Sequence, residues 1–320
     1  MFKVLQKQLI KGFITFFIAV SITFLILRLM PGDPTTMLID PRMSEAARQR
    51  LLIDFGLDKP LITQYFLYLK QLFCGNLGVS FVFRTPVSEI IRERLPWTLA
   101  LMGITQIITM SIGIPLGVMA AYKRGKLVDQ IINALSILGM SIFIPWLGIM
   151  LLFFFGYILP IFPVGGGYTP GLSVSGWGYF LDVGMHFILP VLTLTIIYLA
   201  NYTLFTRASM VDVLNEDYIR TARSKGMEEK RVIWNHGARN AMISTVTMAG
   251  MLFGRMVGGA VLTETVYAYP GVGRMIYDAV GQQDFPLLQG SFIVLALSVI
   301  VMNIVADLIC AYLNPRMKME

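Results

Sequence analysis

Residues Asp217 to Ala241, DYIRTARSKGMEEKRVIWNHGARNA, bring a dense group of ionisable side chains together in an otherwise apolar chain. They read as a charged helix, a glycine and a second charged helix set between two apolar stretches. Such an arrangement serves docking of a soluble partner better than bond-breaking chemistry. Catalytic patterns are missing, since the chain has no H-E-x-x-H, no G-x-S-x-G and no G-x-x-x-x-G-K-[ST] phosphate loop. ATP hydrolysis is therefore not intrinsic. The two histidines, His186 and His236, fall in segments too far apart to share a metal, and each reads as an ordinary interfacial or packing residue. Two charges interrupt apolar segments, Arg255 and Asp307. A charge at mid-span costs about 2.5 to 3.5 kcal/mol on insertion scales, so Arg255 is expected to face water or a partner. It can attract an anionic group, or it can pair with Asp307, which lies nearer the inner end of its own span.

The elements that must position these residues are membrane helices. Of the 320 residues, 56% are apolar and only 14% charged, and the mean hydropathy is +0.68. Uncharged runs cover Leu95 to Tyr122, Gln130 to Leu181, Val183 to Thr206 and Phe285 to Ala306. Each contains the roughly 20 residues needed to cross about 30 Å of hydrocarbon. Gly12 to Leu27, extended if Arg28 snorkels, and Asn240 to Thr263, interrupted by Arg255, complete six spans. The expected fold is all-α and polytopic. It divides into residues 1–30 (N-terminus and first span), 31–97 (a helical external loop), 98–313 (the core, with the docking loop at 207–240) and a tail at 314–320.

Orientation follows from basic residues. Lys3, Lys7 and Lys11 precede the first span, Lys123, Arg124 and Lys126 follow the second, and the segment after the fourth holds Arg207, Arg220, Arg223, Lys225, Lys230, Arg231 and Arg239. These are expected on the cytoplasmic side with both termini, and the net charge of +7 implies no nucleic acid. The Pro160 to Leu181 and Glu264 to Pro286 connections are expected outside. No small-residue cleavage pattern follows the first apolar run, so it reads as an uncleaved span. Cys74 and Cys310 fall on opposite faces, which excludes an intramolecular disulfide.

Within the external loop, Ser44 can cap a helix ending near Gly56, Pro60 can open a second ending near Gly75, and Thr85-Pro86 can open a third. The second, LITQYFLYLKQLF, is apolar almost all round and either packs under a partner or lies on the bilayer. Gly113 and Gly117, and Gly250, Gly254 and Gly258, recur every fourth position. Such stripes allow close helix contact within one subunit or between two. Beyond the fifth span, Tyr267, Tyr269, Pro270, Gly271 and Gly273 suggest aromatics carried on a rigid turn, poised either for a partner's cleft or for an interfacial aromatic belt.

The docking segment also resembles a known family. YIRTARSKG (Tyr218 to Gly226) and HGARNA (His236 to Ala241) are similar to the EAA loop of ATP-binding-cassette importer permeases in its peptide-permease form. Arg220-Thr221-Ala222 stands at the E-A-A place, Gly226 at the glycine and His236 at the isoleucine place of the I-x-L-P end. Gly237 and Ala238 depart from the usual H-A-L-R-N-A. MPGDP, FGLDKP, GNLGVS, LTETVYAYPGVGR, DFPLLQG and AYLNPR resemble, in order along nearly the whole chain, the first permease subunit of dipeptide and oligopeptide importers.

The resemblance implies a type I importer permease fold in a prokaryotic inner membrane. It also implies a second homologous permease subunit, two ATPase subunits that carry ATP and Mg, and an extracytoplasmic binding protein, with no cofactor on this chain. It assigns ATPase docking to Tyr218, Arg220, Thr221, Ala222, Arg223, Lys225 and Gly226; the aromatic turn, through Tyr267, Tyr269, Pro270 and Gly271, is expected to meet the binding protein together with the external loop between the first two spans. Relatives of this subunit also serve glutathione, nickel chelates and oligosaccharides. A secondary transporter driven by an ion gradient would show paired intramembrane carboxylates, for which Asp307 alone is thin support, or two interrupted helices in related halves, and a non-transporting scaffold would need no docking loop.

Overall fold

A computed structural model describes residues 2–29, 59–171 and 176–313. The expected helix between Ser44 and Gly56 lies outside them. Among the described residues ten helices follow in chain order: α1 Phe2–Leu29, α2 Leu61–Phe73, α3 Val87–Tyr122, α4 Leu127–Ser141, α5 Ile144–Ile158, α6 Trp177–Leu214, α7 Asp217–Ser224, α8 Glu229–Val266, α9 Val272–Gly281 and α10 Phe285–Leu313.

Five of these are long and apolar enough to cross a membrane: the Gln8–Leu29 part of α1, α3, α6, α8 and the Phe285–Ile309 part of α10. α4 and α5 are long and apolar enough only as a pair, bent by 96°, and the six expected spans are met when that pair is counted as one. Pro145 explains the break, because it has no N–H to donate to the Ser141 carbonyl and its ring clashes with that carbonyl. Ile142 and Phe143 between the two helices are extended.

Two expectations about the connections are corrected. The helix opened at Pro86 is not a separate element of the external loop. It is the first part of α3 and continues through Pro96 into the span. Packing on both sides of that proline holds it: Val87 and Ile91 are buried against Leu287 and Leu288, and Thr98 is tied to the far end of α8. Likewise, the second charged helix of the docking segment is the start of α8, which runs unbroken into the fifth span. The helix opened at Pro60 does form, as α2. Its Tyr65 and Tyr68 pack on Phe24 of α1, while Ile62, Phe66 and Phe73 remain exposed.

The core lies where α3, α6 and α8 meet. Leu101, Met102, Leu189, Leu194, Phe253 and Met256 are buried there together. The glycine stripe of α3 sets its distance from α6, since a Cβ on Gly113 would stand 2.7 Å from the Tyr202 Cβ and one on Gly117 2.6 Å from the Thr203 carbonyl oxygen. Those two glycines therefore serve packing within the subunit. In α8, Gly250 and Gly254 face Asn303 and Val299 of α10 in the same way, but Gly258 meets nothing. Gly258 lies on an open face of α8, while Gly259 beside it packs against Tyr198 and Ile144.

Candidate functional site

The docking segment is an exposed platform fixed at three points. Ile219 and Ala222 of α7 point inward and are buried with Val232 of α8. The Arg223 guanidinium donates to both carboxylate oxygens of Glu229, Nη2 to Oε1 at 2.8 Å and Nε to Oε2 at 3.2 Å. Asn240 Nδ2 donates to the Tyr218 hydroxyl at 2.8 Å. Gly226, at φ +71°, ends α7 with its N–H donated to the Arg223 carbonyl at 2.9 Å. L-residues avoid that left-handed conformation, so the sharp return of the chain depends on glycine here.

The outward face carries Tyr218, Arg220, Thr221, Arg223 and Lys225, all exposed. Ala222 does not share it. Its methyl is part of the platform's base, because with helical spacing it falls beside Ile219 and away from solvent, so its expected place in a contact surface is corrected. Arg220 pairs loosely with Asp217 at 3.3 Å in full exposure, and Lys225 has no ion-pair partner among the described residues.

The outer turn after α8 differs from expectation. Tyr267 and Tyr269 are 2% and 0% exposed, so they present nothing to a partner. The Tyr267 hydroxyl donates to the Gly148 carbonyl at 3.0 Å and shares a hydrogen bond with Thr193 at 2.9 Å. Tyr269 packs edge-on to Trp97 and Phe187, with ring centroids at 5.6 and 5.3 Å. The loop following α5 covers the turn, with the Gly166 N–H donating to the Tyr267 carbonyl at 2.9 Å. Burial raises the Tyr267 hydroxyl to about 12 and that of Tyr269 further, so both stay protonated. Pro270 is half-buried and Gly271 buried. Gly271 is required for space, since a Cβ there would overlap the Glu264 carboxylate.

Glu264 organises this turn and was not singled out from the sequence. Fully buried, it accepts from Thr98 Oγ1 at 2.7 Å and from the Arg274 N–H at 3.1 Å, while Thr98 also accepts the Val272 N–H at 2.8 Å. Asp284 acts similarly at the start of α10. It takes the Ser80 hydroxyl and the N–H groups of Phe81, Val82 and Leu287. Such partners lie far apart in sequence, and periodicity cannot reveal them.

Arg255 projects from an open face of α8. Ser244, Thr247, Met251, Arg255, Gly258 and Leu262 are all exposed, at intervals of three or four residues that make one stripe. The pairing with Asp307 does not occur. Gly254 stands opposite Val299, eight residues from Asp307 and thus about 12 Å away along α10. Asp307 has Lys11 of α1 as its cationic neighbour instead. The Arg255 carbonyl accepts the Tyr198 hydroxyl at 3.0 Å, which fixes the backbone beneath the guanidinium. Among the described residues no group of His, Cys, Asp and Glu could hold a metal ion.

Bent and continuous apolar helices around a helical core, with a charged platform at one end and an exposed stripe along α8, define a multi-pass membrane protein. Residues 113–319 match the family described as the binding-protein-dependent transport system inner membrane component, and residues 1–102 match its N-terminal companion. The chain belongs to this family of importer permeases. It is 37% identical over 298 residues to the oligopeptide transport system permease protein AppB of Bacillus subtilis, covering 93% of both chains. It is 37% identical over 322 residues to the dipeptide transport system permease protein DppB of Escherichia coli K12, covering 95% of both. A putative peptide transport system permease protein of Brucella abortus is 35% identical over 315 residues, with 98% of both chains covered.

Proposed function

We propose that this chain is one of two permease subunits of an ATP-driven importer, and that its cargo is di- or oligopeptide. The reading rests chiefly on the exposed platform around Gly226, with its fixed base and basic rim, in a chain whose relatives over almost the full length are peptide permeases. In this reading two separate ATPase subunits bind ATP and Mg and hold the platforms. Tyr218, Arg220, Thr221, Arg223 and Lys225 supply the contact. Gly226 supplies its shape, and Ala222 its footing. Nucleotide-driven closure of the ATPases then moves the two permeases between inward-open and outward-open states.

The open stripe of α8 lines half the pathway, where Arg255 offers a guanidinium to a peptide carboxylate. With the tyrosines of the outer turn buried, contact with an extracytoplasmic binding protein falls to exposed outer side chains such as Phe83 and Tyr277. Both termini and the platform lie in the cytoplasm of a prokaryotic cell.

Uptake into liposomes by the assembled importer tests the reading, with labelled di- and oligopeptides offered beside glutathione, a nickel chelate and an oligosaccharide. Peptide uptake should need ATP and the binding protein and should survive collapse of ion gradients. Uptake driven by a gradient without ATP would overturn the reading in favour of a secondary transporter. ATP-driven uptake of another cargo alone would overturn the peptide assignment.

A further inference from the structure

At the platform end of the molecule the last turns of α3 meet the first turns of α8 through Val118, Ala121, Ile233 and Ala238. Residues Val232–Ala238 of α8 are π-helical, and this wider turn leaves Trp234 facing outward and 44% exposed. Opposite it, Met119 and Tyr122 at the end of α3 are 38% and 48% exposed. Between them lies a groove of about 370 Å³, within the range of small-ligand sites, with Pro115 and Ile233 among its walls and Lys230 as its one formal charge.

We infer that this groove binds an anionic phospholipid, with an acyl chain along Met119, Tyr122 and Trp234 and the headgroup phosphate at Lys230. The uncharged run of α3 ends at Tyr122, so the groove opens where the span leaves the hydrocarbon. Tyrosine and tryptophan favour that level of a bilayer. Lys123 and Arg124 follow directly after Tyr122, and Arg231 follows Lys230. Of the nearby acids, Glu229 is already paired with Arg223, which leaves Glu228. An apolar slot with a basic mouth at the membrane interface has the complementarity of a lipid with a negatively charged headgroup. Because Ile233 is also buried with Val118 and Met210, an occupant of the groove would bear on the packing that joins α3, α6 and α8 beside the platform.

The assignment to the cytoplasmic leaflet rests on the orientation proposed above, but nanodiscs with the same lipid in both leaflets make the test independent of it. The assembled complex is placed in phosphatidylcholine nanodiscs containing either acyl-brominated phosphatidylglycerol or acyl-brominated phosphatidylcholine. The quenching owed to Trp234 is taken as the difference between the native protein and Trp234→Phe. Brominated phosphatidylglycerol should reach half-quenching at a mole fraction roughly fivefold lower, the factor that one basic contact gives at an anionic surface. Lys230→Gln should bring the two lipids to parity. Equal quenching in the native complex, or a preference that survives Lys230→Gln, overturns the inference. So does the absence of quenching by either lipid, which would mean that a protein segment of a partner subunit fills the groove.

Discussion

Arg207 grips both carboxylate oxygens of Asp129, Nε to Oδ1 at 2.5 Å and Nη2 to Oδ2 at 2.8 Å, and so joins α4 to the platform end of α6. Asp129 also takes the Gly125 N–H at 2.9 Å, which fixes the turn after α3. The carboxylate is nearly buried while the guanidinium keeps a quarter of its side-chain exposure. Removing one partner leaves the other charge uncompensated.

Arg207→Ala should therefore destabilise the protein by about 2 to 4 kcal/mol, less than a fully buried pair because of that exposure. Denaturant unfolding in detergent measures the loss. If Arg207→Ala, Asp129→Ala and the double variant lose stability additively, the two groups are not coupled and the assignment fails.

Gly226→Val places a β-branched residue at φ +71°, a strain on the order of 1 to 3 kcal/mol confined to the end of α7. The complex should assemble and hydrolyse ATP, but the number of substrate molecules moved per ATP should fall. Gly226→Asn should keep most coupling, since asparagine enters that region more readily. Equal coupling in Gly226→Val and the native complex would detach the platform from transport.

The two buried tyrosines should respond differently to loss of a hydroxyl. Tyr267→Phe abandons the Gly148 carbonyl and Thr193 and should cost about 1 to 2 kcal/mol. Tyr269→Phe should be neutral or slightly stabilising, because its hydroxyl is buried and has no hydrogen-bond partner among the described residues. Thermal unfolding of both variants in one detergent decides. Equal losses would contradict the geometry.

Arg255→Met keeps an unbranched, somewhat shorter side chain and removes its charge. Assembly should be intact, because the guanidinium lies on the open stripe and has no part in the packing with α10. Uptake of peptides with a free carboxylate should fall by about tenfold or more, the loss of one charged hydrogen bond worth about 1.5 to 3 kcal/mol. C-terminally amidated peptides should be affected less. Unchanged uptake of both would remove Arg255 from the pathway.

Apolar run length alone made the membrane class and most of the spans legible. The bend at Pro145 was hidden, since an uncharged run from Gln130 to Leu181 says nothing about direction. Gly226 was readable because one residue type has one conformational use there. The tyrosines of the outer turn misled for a related reason. Aromatics next to Pro-Gly look the same in sequence whether a loop covers them or leaves them bare, and the cover comes from Gly166, a hundred residues upstream. Glu264 and Thr98 are separated by 166 positions, and only the folded chain brings them together.

The continuity of α8 gives the molecule a lever. Its 38 residues span about 57 Å, with Lys230 near one tip, Arg255 along the shaft and Glu264 near the other tip. The platform end and the gripped outer turn are thus parts of one rod, interrupted only by the wide π turn at Val232–Ala238. That turn is the one departure from α-helical geometry along the rod, so the faces presented beyond it are rotated relative to those of the platform end.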